Sequence, residues 1–485
     1  MLKLLITMPI LGLFSIQLFY KKVEWGRNIG MIFSIITMYI SLILLLCMNN
    51  NNIEYQFRDF IDLDYFRINL GIDGISMSLI IVTTIIIPIL ILLKERKNNE
   101  EIVKIVKLLL VMESMLIFLF SSLDLFFFFL FFELLLIPMF LLIGKYGSKE
   151  KRVEAAYRFI IFSLLGSLLM LISIIIIYIK FGTTNNEIMM IKFHSLSQGD
   201  FLFHSQIFYL IWILLFFSFA IKVPIFPFHT WLPFVHVEAP TIGSMLLAGI
   251  MLKLGTYGII RYTINMLGEI NNYFLPIVII MAILSIVYGS LTTIRQIDLK
   301  KIIAYSSIVH MNYAILGFFS NEIEGLEGAN YLMISHAFVS CGLFLLIGIL
   351  YKRYHTRIIL YYSGLVLTMP IFGTMFILLT LANISLPLTS SFISEILIII
   401  STIKINLFVG ILISISLIFS TTYGIWLANR LLFGEFSNYI NISKDLTKTE
   451  IIAIIPLVII TIFLGINTNL LLNIYTLPVN NLLFF

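Results

Sequence analysis

Apolar runs of about 20 residues, separated by short polar joints, recur along the whole chain. At about 1.5 Å per residue such a run covers the roughly 30 Å of a bilayer's hydrocarbon core, so the pattern predicts bilayer-spanning helices. Fourteen spans are predicted: 2–20, 29–48, 74–93, 104–121, 123–144, 155–179, 206–238, 241–263, 274–294, 300–320, 329–350, 364–402, 406–430 and 450–472. Two of them should be broken. Pro224, Pro227 and Pro233 interrupt 206–238, and Pro387 interrupts 364–402; proline removes a backbone donor and clashes with the preceding turn. Asn49–Asp73, with five acids and two arginines, and the segment 181–204 read as polar connections. No soluble domain is visible.

The spans organise into repeats. Spans four to eight and nine to thirteen align as two five-helix units. In each, the second helix carries an ionisable group near its centre (Glu133; His310) and the fourth is interrupted and carries another (Lys222; Glu395). Five is odd, so the second unit is inverted relative to the first, the arrangement in which paired broken helices point to a transport site. The expected fold is all-α: a polytopic membrane protein of about 14 transmembrane helices with two inverted repeats and two broken helices. The expected division is 1–103 (a three-helix region), 104–264 and 265–432 (the two repeats), and 433–485 (a last helix and tail).

Composition supports a membrane setting. Of 485 residues 60% are apolar and 12% charged, about half the charged share of a soluble domain, and the mean hydropathy is +1.05. With these spans, one side of the membrane takes 22 of the 31 lysines and arginines, among them Lys21, Lys22, Lys94, Arg96, Lys97, Lys149, Lys300, Lys352 and Arg357. The other side takes seven, including Arg261, and Lys222 and Lys253 lie within the membrane. The positive-inside rule makes the richer side the matrix or cytoplasm and puts both termini opposite. Cys47 and Cys341 are far apart in apolar runs and suggest neither a metal centre nor a disulfide framework. No HExxH, GxGxxG or phosphate-binding loop occurs, and no cleavable leader is expected. Heavy use of Ile, Phe, Asn and Lys would suit an AT-rich organellar genome.

The candidate chemistry centres on residues 222–258, which carry Lys222, His229, His236, Glu238 and Lys253 among four prolines. Irregular backbone at bilayer depth is tolerated where it is buried in protein or lines a wet cavity, and ionisable groups there usually mark an ion or proton path. Glu133 lies about ten residues, roughly 15 Å, from either end of its span, near the midplane. Glu113, Lys253, His310 and His336 fall at comparable depth, and Lys222 and Glu395 beside the breaks. Neighbouring helices pack about 8–10 Å apart, so these groups form a belt along which waters could pass protons. At about 6 Å and an effective dielectric near 20, a Glu133–Lys222 pair is worth about 2.8 kcal/mol. Moving a proton against about 150–200 mV takes about 3.5–4.6 kcal/mol, so one or two modulated pairs suffice. Plainer readings stand beside this. Glu133 could only pin helices, the lysines could snorkel, and His229, beside Trp231, could be structural. His236 and Glu238 could position the next helix, His310 and His336 could be packing donors, and Glu113 is open. Asp124, Arg295 and Asp298 read as anchors, and Phe126–Phe129 as packing or lipid-facing surface.

Several long stretches carry a family resemblance: LGIDGIS, DLFFFFLFFELLLIPMFLLIG, KVPIFPFHTWLP, HVEAPTIGS, LKLGTYG, LTTIRQIDLKKIIAYSSIVHMN, ISHAFVSCGLF and LANISLPLTSSFISE. From about Leu70 to Arg430 the chain resembles the antiporter-like subunit 4 family of the proton-pumping NADH dehydrogenases (respiratory complex I). The resemblance implies Glu133 and Lys222 as a coupling pair, Lys253 and His310 as central relays, Glu395 as the exit-side site, and a role for His336. It implies no cofactor in this chain, with FMN, iron–sulfur clusters, NADH and ubiquinone served by other subunits. The implied partners are other membrane-arm subunits, especially antiporter-like neighbours, and lipids, with no nucleic acid. The implied location is the mitochondrial inner membrane, both termini on the intermembrane-space side. Where the family often has a charged residue and alanine after WLP, this chain has Phe234 and Val235. The other readings are a multisubunit Na+/H+ antiporter subunit, a plastid counterpart, a static scaffold and a quinone-binding site.

Overall fold

Helix is the outcome wherever the apolar runs predict it. The computed structural model describes residues 1–18, 23–49, 52, 54–63, 66–93, 98–148, 150–197 and 201–484. Lys21, Lys22, Lys94, Arg96, Lys97 and Lys149, part of the charge asymmetry above, lie outside the described residues. The order begins α1 (Leu2–Leu18), α2 (Val23–Cys47), β1 (Gln56–Leu63), β2 (Phe66–Ile72), α3 (Gly74–Leu92) and α4 (Asn99–Ser121). Next come α5 (Leu125–Leu134), α6 (Leu136–Tyr146), α7 (Arg152–Phe181), α8 (Asn186–Ser197), α9 (Phe201–Lys222) and α10 (Trp231–Glu238). α11 (Thr241–Leu246) and α12 (Leu252–Gly258) are joined by a π-helical turn, Leu247–Met251, and a second π turn covers Ile259–Ile264. The chain continues through α13 (Gly268–Arg295), α14 (Leu299–Phe318), α15 (Ile323–Tyr354), α16 (Leu365–Thr368), α17 (Pro370–Asn383) and α18 (Ser390–Ile405). It closes with α19 (Leu407–Leu432), α20 (Lys448–Ile466) and α21 (Asn469–Phe484).

Among the described residues nine helices are long and apolar enough to cross a membrane, and three shorter apolar helices accompany them. Their burial divides them. The apolar middles of the Thr241–Ile264 and Ile323–Tyr354 helices are wholly buried, whereas α7, α13 and α19 present apolar faces outward. A helix apolar on every side belongs in the middle of a bundle. α15 is that centre, packed by α3, α11, α14, α17, α18, α20 and α21. The outward faces, such as Ile161, Leu165 and Leu168 on α7 and Ile277, Ile280 and Leu284 on α13, are exposed as a lipid-facing surface requires.

Three departures from the sequence reading have local causes. The stretch Asn49–Asp73 holds an antiparallel hairpin, with Asp59 opposite Leu70 and Asp62 opposite Arg67. Its second strand buries Ile68, Leu70 and Ile72 on one face, a period-two pattern that the charge content of the stretch masked. The polar segment 181–204 contains α8, and the last predicted span ends at Ile466, with α21 turning back to pack on α3 and α15.

Arg261, Lys300 and Arg357, assigned to the membrane's two surfaces by the charge count, are instead buried. Lys300 Nζ donates to the Ala239 carbonyl (2.8 Å) and to Ser244 Oγ (3.1 Å), and Arg357 donates to the Val237 carbonyl and Ser148 Oγ. Both thus satisfy carbonyls left over at the C-terminal end of α10. Arg261 pairs with Asp73, which also caps α3 through reciprocal bonds with Ser76 (Ser76 N to Asp73 Oδ1, 3.0 Å; Asp73 N to Ser76 Oγ, 2.9 Å). Arg261 Nε and Nη1 donate to Tyr257 and Tyr55 hydroxyls at 3.1 and 3.2 Å, which ties the hairpin end to the bundle.

Removing Arg261 leaves the buried Asp73 carboxylate uncompensated, so Arg261→Met should destabilise the fold by about 3–5 kcal/mol, read as a lower thermal denaturation temperature of the purified assembly. Burial alone would raise the Asp73 carboxyl, but the Arg261 charge and the Arg261 and Ser76 hydrogen bonds hold it below the ordinary carboxylate value. A carboxyl depressed in the folded state adds stability that is fully present above its unfolded pKa and lost as pH falls through the folded one. Wild type should therefore lose stability more steeply than Asp73→Asn below about pH 4; parallel pH profiles would contradict this.

Candidate functional site

α9 stops at Lys222 because Pro224 and Pro227 cannot continue the helical ladder, and the chain runs irregularly through residues 223–227 and a 3-10 turn, Phe228–Thr230, before Trp231 starts α10. Lys222 is 2% exposed. Its Nζ lies 3.5 Å from Ser163 Oγ on α7 and over the rings of Phe132 (4.8 Å) and Phe159 (5.1 Å), a cation–π setting. Glu133 sits where α5 hands over to α6 at Leu135, with Oε1 buried and without a hydrogen-bond partner. Its charge acts on Lys222, yet among the described residues the two form no ion pair within 4.0 Å. Glu133 thus acts on the Lys222 ammonium without an ion pair, and the Phe132 and Phe159 rings lie against that ammonium.

The second group is bonded directly. Lys253, 0% exposed, stands on α12 just past the π turn. Its Nζ donates to the Ala248 carbonyl within that turn and lies 2.8 Å from His336 Nδ1 on α15. A π turn inserts one residue and redirects backbone groups, a feature frequent at functional sites. The ring of His336 is 5.6 Å from that of His310 on α14, and His310 Nδ1 lies 2.9 Å from Glu395 Oε1 on α18. Lys253, His336, His310 and Glu395 therefore form one buried line across four helices. Between the imidazoles is a cavity of about 10 Å³, edged by Asn383 and Ser391, at the lower limit of space for one water. His310 Nε2, His336 Nε2 and Glu395 Oε2 are buried without a hydrogen-bond partner.

Two glycines allow this approach. A Cβ on Gly255 would lie 3.1 Å from Lys222 Cβ and 2.6 Å from Val223 Cγ2, so glycine lets the helix of Lys253 lie against the break beside Lys222. A Cβ on Gly328 would meet the Ser394 carbonyl at 2.9 Å, so glycine seats the Glu395 turn of α18 against α15.

The remaining sequence candidates are dispersed. His236 is wholly buried, stacked on Phe344 (4.6 Å, 4°), and both ring nitrogens lack a hydrogen-bond partner. Lys300 and Lys253 both act on it electrostatically, and it acts on His336, so it branches off the line. Glu238 is buried nearby, its carbonyl accepting from Ser148 N at 3.0 Å. His229 lies among the rings of Phe226 (5.7 Å) and Tyr288 (5.3 Å). Glu113 faces the N-terminal helices, accepting a hydrogen bond from Thr37 on α2, and does not join the line. Phe234, at the position where a charge was looked for, lies under the Arg158 guanidinium at 4.1 Å. Sequence reasoning missed Lys300, a buried lysine close to His236; its place two residues after the capping Asp298 looked like a surface joint.

The arrangement can move protons. An ammonium on Lys253 facing His336 Nδ1 can exchange with a neutral amine facing an imidazolium by shifting one proton along a 2.8 Å contact. At the other end, His310 and Glu395 can share a proton in the same way. Among the described residues no group of three or more His, Cys, Asp or Glu is placed to hold a metal ion, and Cys47 and Cys341 are both free thiols.

Residues 122–421 match the family described as NADH:quinone oxidoreductase/Mrp antiporter, transmembrane region. Over 483 residues the chain is 44% identical to NADH-ubiquinone oxidoreductase chain 4 of Marchantia polymorpha, covering 99% of this chain and 96% of that protein. It superposes on a chain of respiratory complex I from Thermus thermophilus, solved with bound NADH, with a TM-score of 0.84 and 26% identity, covering 99% of this chain and 100% of the other. A chain of the Mrp complex from Dietzia has the same fold, with a TM-score of 0.86 at 17% identity and coverage of 99% and 98%. The chain is a multi-pass membrane protein and belongs to the NADH:quinone oxidoreductase/Mrp antiporter family, in its NADH-ubiquinone oxidoreductase chain 4 branch.

Proposed function

We propose that this chain is a proton-translocating membrane-arm subunit of NADH:ubiquinone oxidoreductase in the mitochondrial inner membrane. The observation that carries the reading is the buried line Lys253–His336–His310–Glu395, four titratable groups on four helices, with polar contacts of 2.8 and 2.9 Å at its two ends and imidazole centroids 5.6 Å apart in its middle. Identity of 44% to a chain 4 relative, against 17% to the Mrp chain, favours this over a Na+/H+ antiporter subunit. In this reading electrons pass through other subunits, which hold FMN, iron–sulfur clusters, NADH and ubiquinone. Antiporter-like neighbours flank this chain in the membrane arm.

In this reading the chain crosses the membrane fourteen times, with 104–264 and 265–432 as inverted repeats between 1–103 and 433–485. The lysine and arginine asymmetry puts both termini in the intermembrane space. Glu133 and Lys222 form the coupling pair: because they interact without locking, a small displacement changes how strongly Glu133 favours a charged Lys222. Lys253, His336 and His310 relay, and Glu395 releases. His236 and Glu238 act beside the line, and Glu113 and His229 are secondary. Driving one proton against about 150–200 mV takes about 3.5–4.6 kcal/mol, which one or two such pairs, each worth about 2.8 kcal/mol near 6 Å, can supply.

Lys222→Ala and Glu133→Gln should each lower protons moved per NADH oxidised in the reconstituted complex while assembly and NADH oxidation by a water-soluble acceptor persist. Unchanged proton-to-electron ratios in both would make the chain a scaffold. Lys253→Leu should slow coupled turnover more severely, by about 10²-fold, because it leaves the buried His336 Nδ1 without its partner. Rates within a factor of about two of wild type, measured as NADH:ubiquinone turnover under a membrane potential, would remove Lys253 from the path.

A further inference from the structure

α15 meets the helix of Lys253 at two points. At one, His336 Nδ1 lies 2.8 Å from Lys253 Nζ. At the other, Cys341 presses on the π turn Leu247–Met251, and the approach is closer than any residue but glycine permits. A Cβ on Gly249 would stand 2.5 Å from Cys341 Sγ and 3.1 Å from Ile86 Cδ1 on α3. The Cys341 thiol is wholly buried and donates to the Met245 carbonyl at 3.3 Å, just before the π turn. The turn itself serves Lys253. The Leu252 N–H reaches the Leu247 carbonyl, one residue further back than in an α-helix. The Ala248 carbonyl is thereby released from the N–H that an α-helix would give it, and it accepts from Lys253 Nζ. Gly249 is the next residue.

We propose that Gly249 and Cys341 are positioning residues for proton transfer between Lys253 and His336. Their contact fixes how near α15 comes to the π turn, and with it the 2.8 Å spacing along which the proton moves. A close-packed interior cannot take in an added methyl group without shifting its neighbours. Here the two neighbours are the helices that carry the proton donor and the acceptor, so the shift falls on the transfer distance. A misplacement of about 1 Å can cost about 10²-fold in rate. A thiol behaves as a small apolar group with a weak donor, and this one is bonded to a backbone carbonyl, so it acts as a spacer and not as a station. The titratable groups that feel the Lys253 charge are His336, His236 and Cys341. This inference rests on the relay reading of Lys253 and His336.

The test follows NADH:ubiquinone turnover of the reconstituted intact complex under a membrane potential across a range of pH. NADH oxidation by a water-soluble acceptor reports assembly. Gly249→Ala should lower coupled turnover about tenfold and displace its pH profile, because Lys253 and His336 no longer share their proton at the same distance. Adding Cys341→Ala removes the sulfur that the new methyl meets, and should bring the rate back to within about threefold of wild type and restore the profile. Cys341→Ser, which keeps a small donor, should stay within about twofold of wild type. If Gly249→Ala does not assemble, Cys341→Val adds bulk from the α15 side and should show the same loss and the same displaced profile. Wild-type turnover in the assembled bulky variant, a lowered rate with an unmoved pH profile, or no recovery in the double variant each overturns the proposal. Lys253→Leu turning over at the wild-type rate would instead remove the relay reading, so the two failures are told apart.

Discussion

An ammonium shut off from bulk solvent must be given most of what bulk water would have supplied, and Lys253 is the residue around which that demand is met. It is 0% exposed on a helix buried on every side, where taking a charge out of water costs several kcal/mol unless partners replace the lost hydration. Those partners are a carbonyl and an imidazole. Ala248 offers its carbonyl because the helix runs through a π turn, and His336 presents Nδ1 because α15 threads the centre of the bundle. A partner that can itself take the proton makes the same contact both a support and a step of transfer.

The remaining groups extend this logic under different degrees of constraint. His310 and Glu395 are in direct contact, so a change in one alters the other at once. Glu133 and Lys222 form no ion pair among the described residues, and Phe132 and Phe159 lie beneath the ammonium. Both broken helices place their ends beside a titratable side chain. Rigid ties stand at either end of the bundle: Arg261 on Asp73 beside the hairpin, and Lys300 and Arg357 on the end of α10. Buried charge thus stands in two settings here, as fixed ties toward the ends of the bundle and, in the proposed path, as shared protons in the middle.

Much of this was legible in the residue pattern, and the reasons for the rest are physical. Hydropathy locates helices because the bilayer fixes their length, and prolines locate the breaks because they lack an N–H. Depth counted from span ends brought Lys253, His310 and His336 to one level, the break marked by Pro387 pointed to Glu395, and in the structure these four lie in one line. The same counting gave Glu113 a comparable depth, but depth says nothing about which way a helix face points, and Glu113 turns toward Thr37. Charge counting treats every lysine near a span end as solvated. Lys300, Arg357 and Arg261 are not, because each finds carbonyls or a carboxylate that depend on tertiary contact. The hairpin strand Phe66–Ile72 did carry a period-two signal, hidden under five acids.

One proton path requires that the Glu133–Lys222 pair and the line beginning at Lys253 be continuous. Among the described residues no hydrogen bond joins Lys222 to Lys253, although Gly255 brings their helices into contact. The most direct measurement is an experimental density map of the assembled complex at a resolution that shows ordered water. Waters should bridge the Lys222 ammonium to the Lys253–His336 contact, with His310 and Glu395 continuing the file. Dry aliphatic packing between Lys222 and Lys253, in every state of the working enzyme, would contradict it.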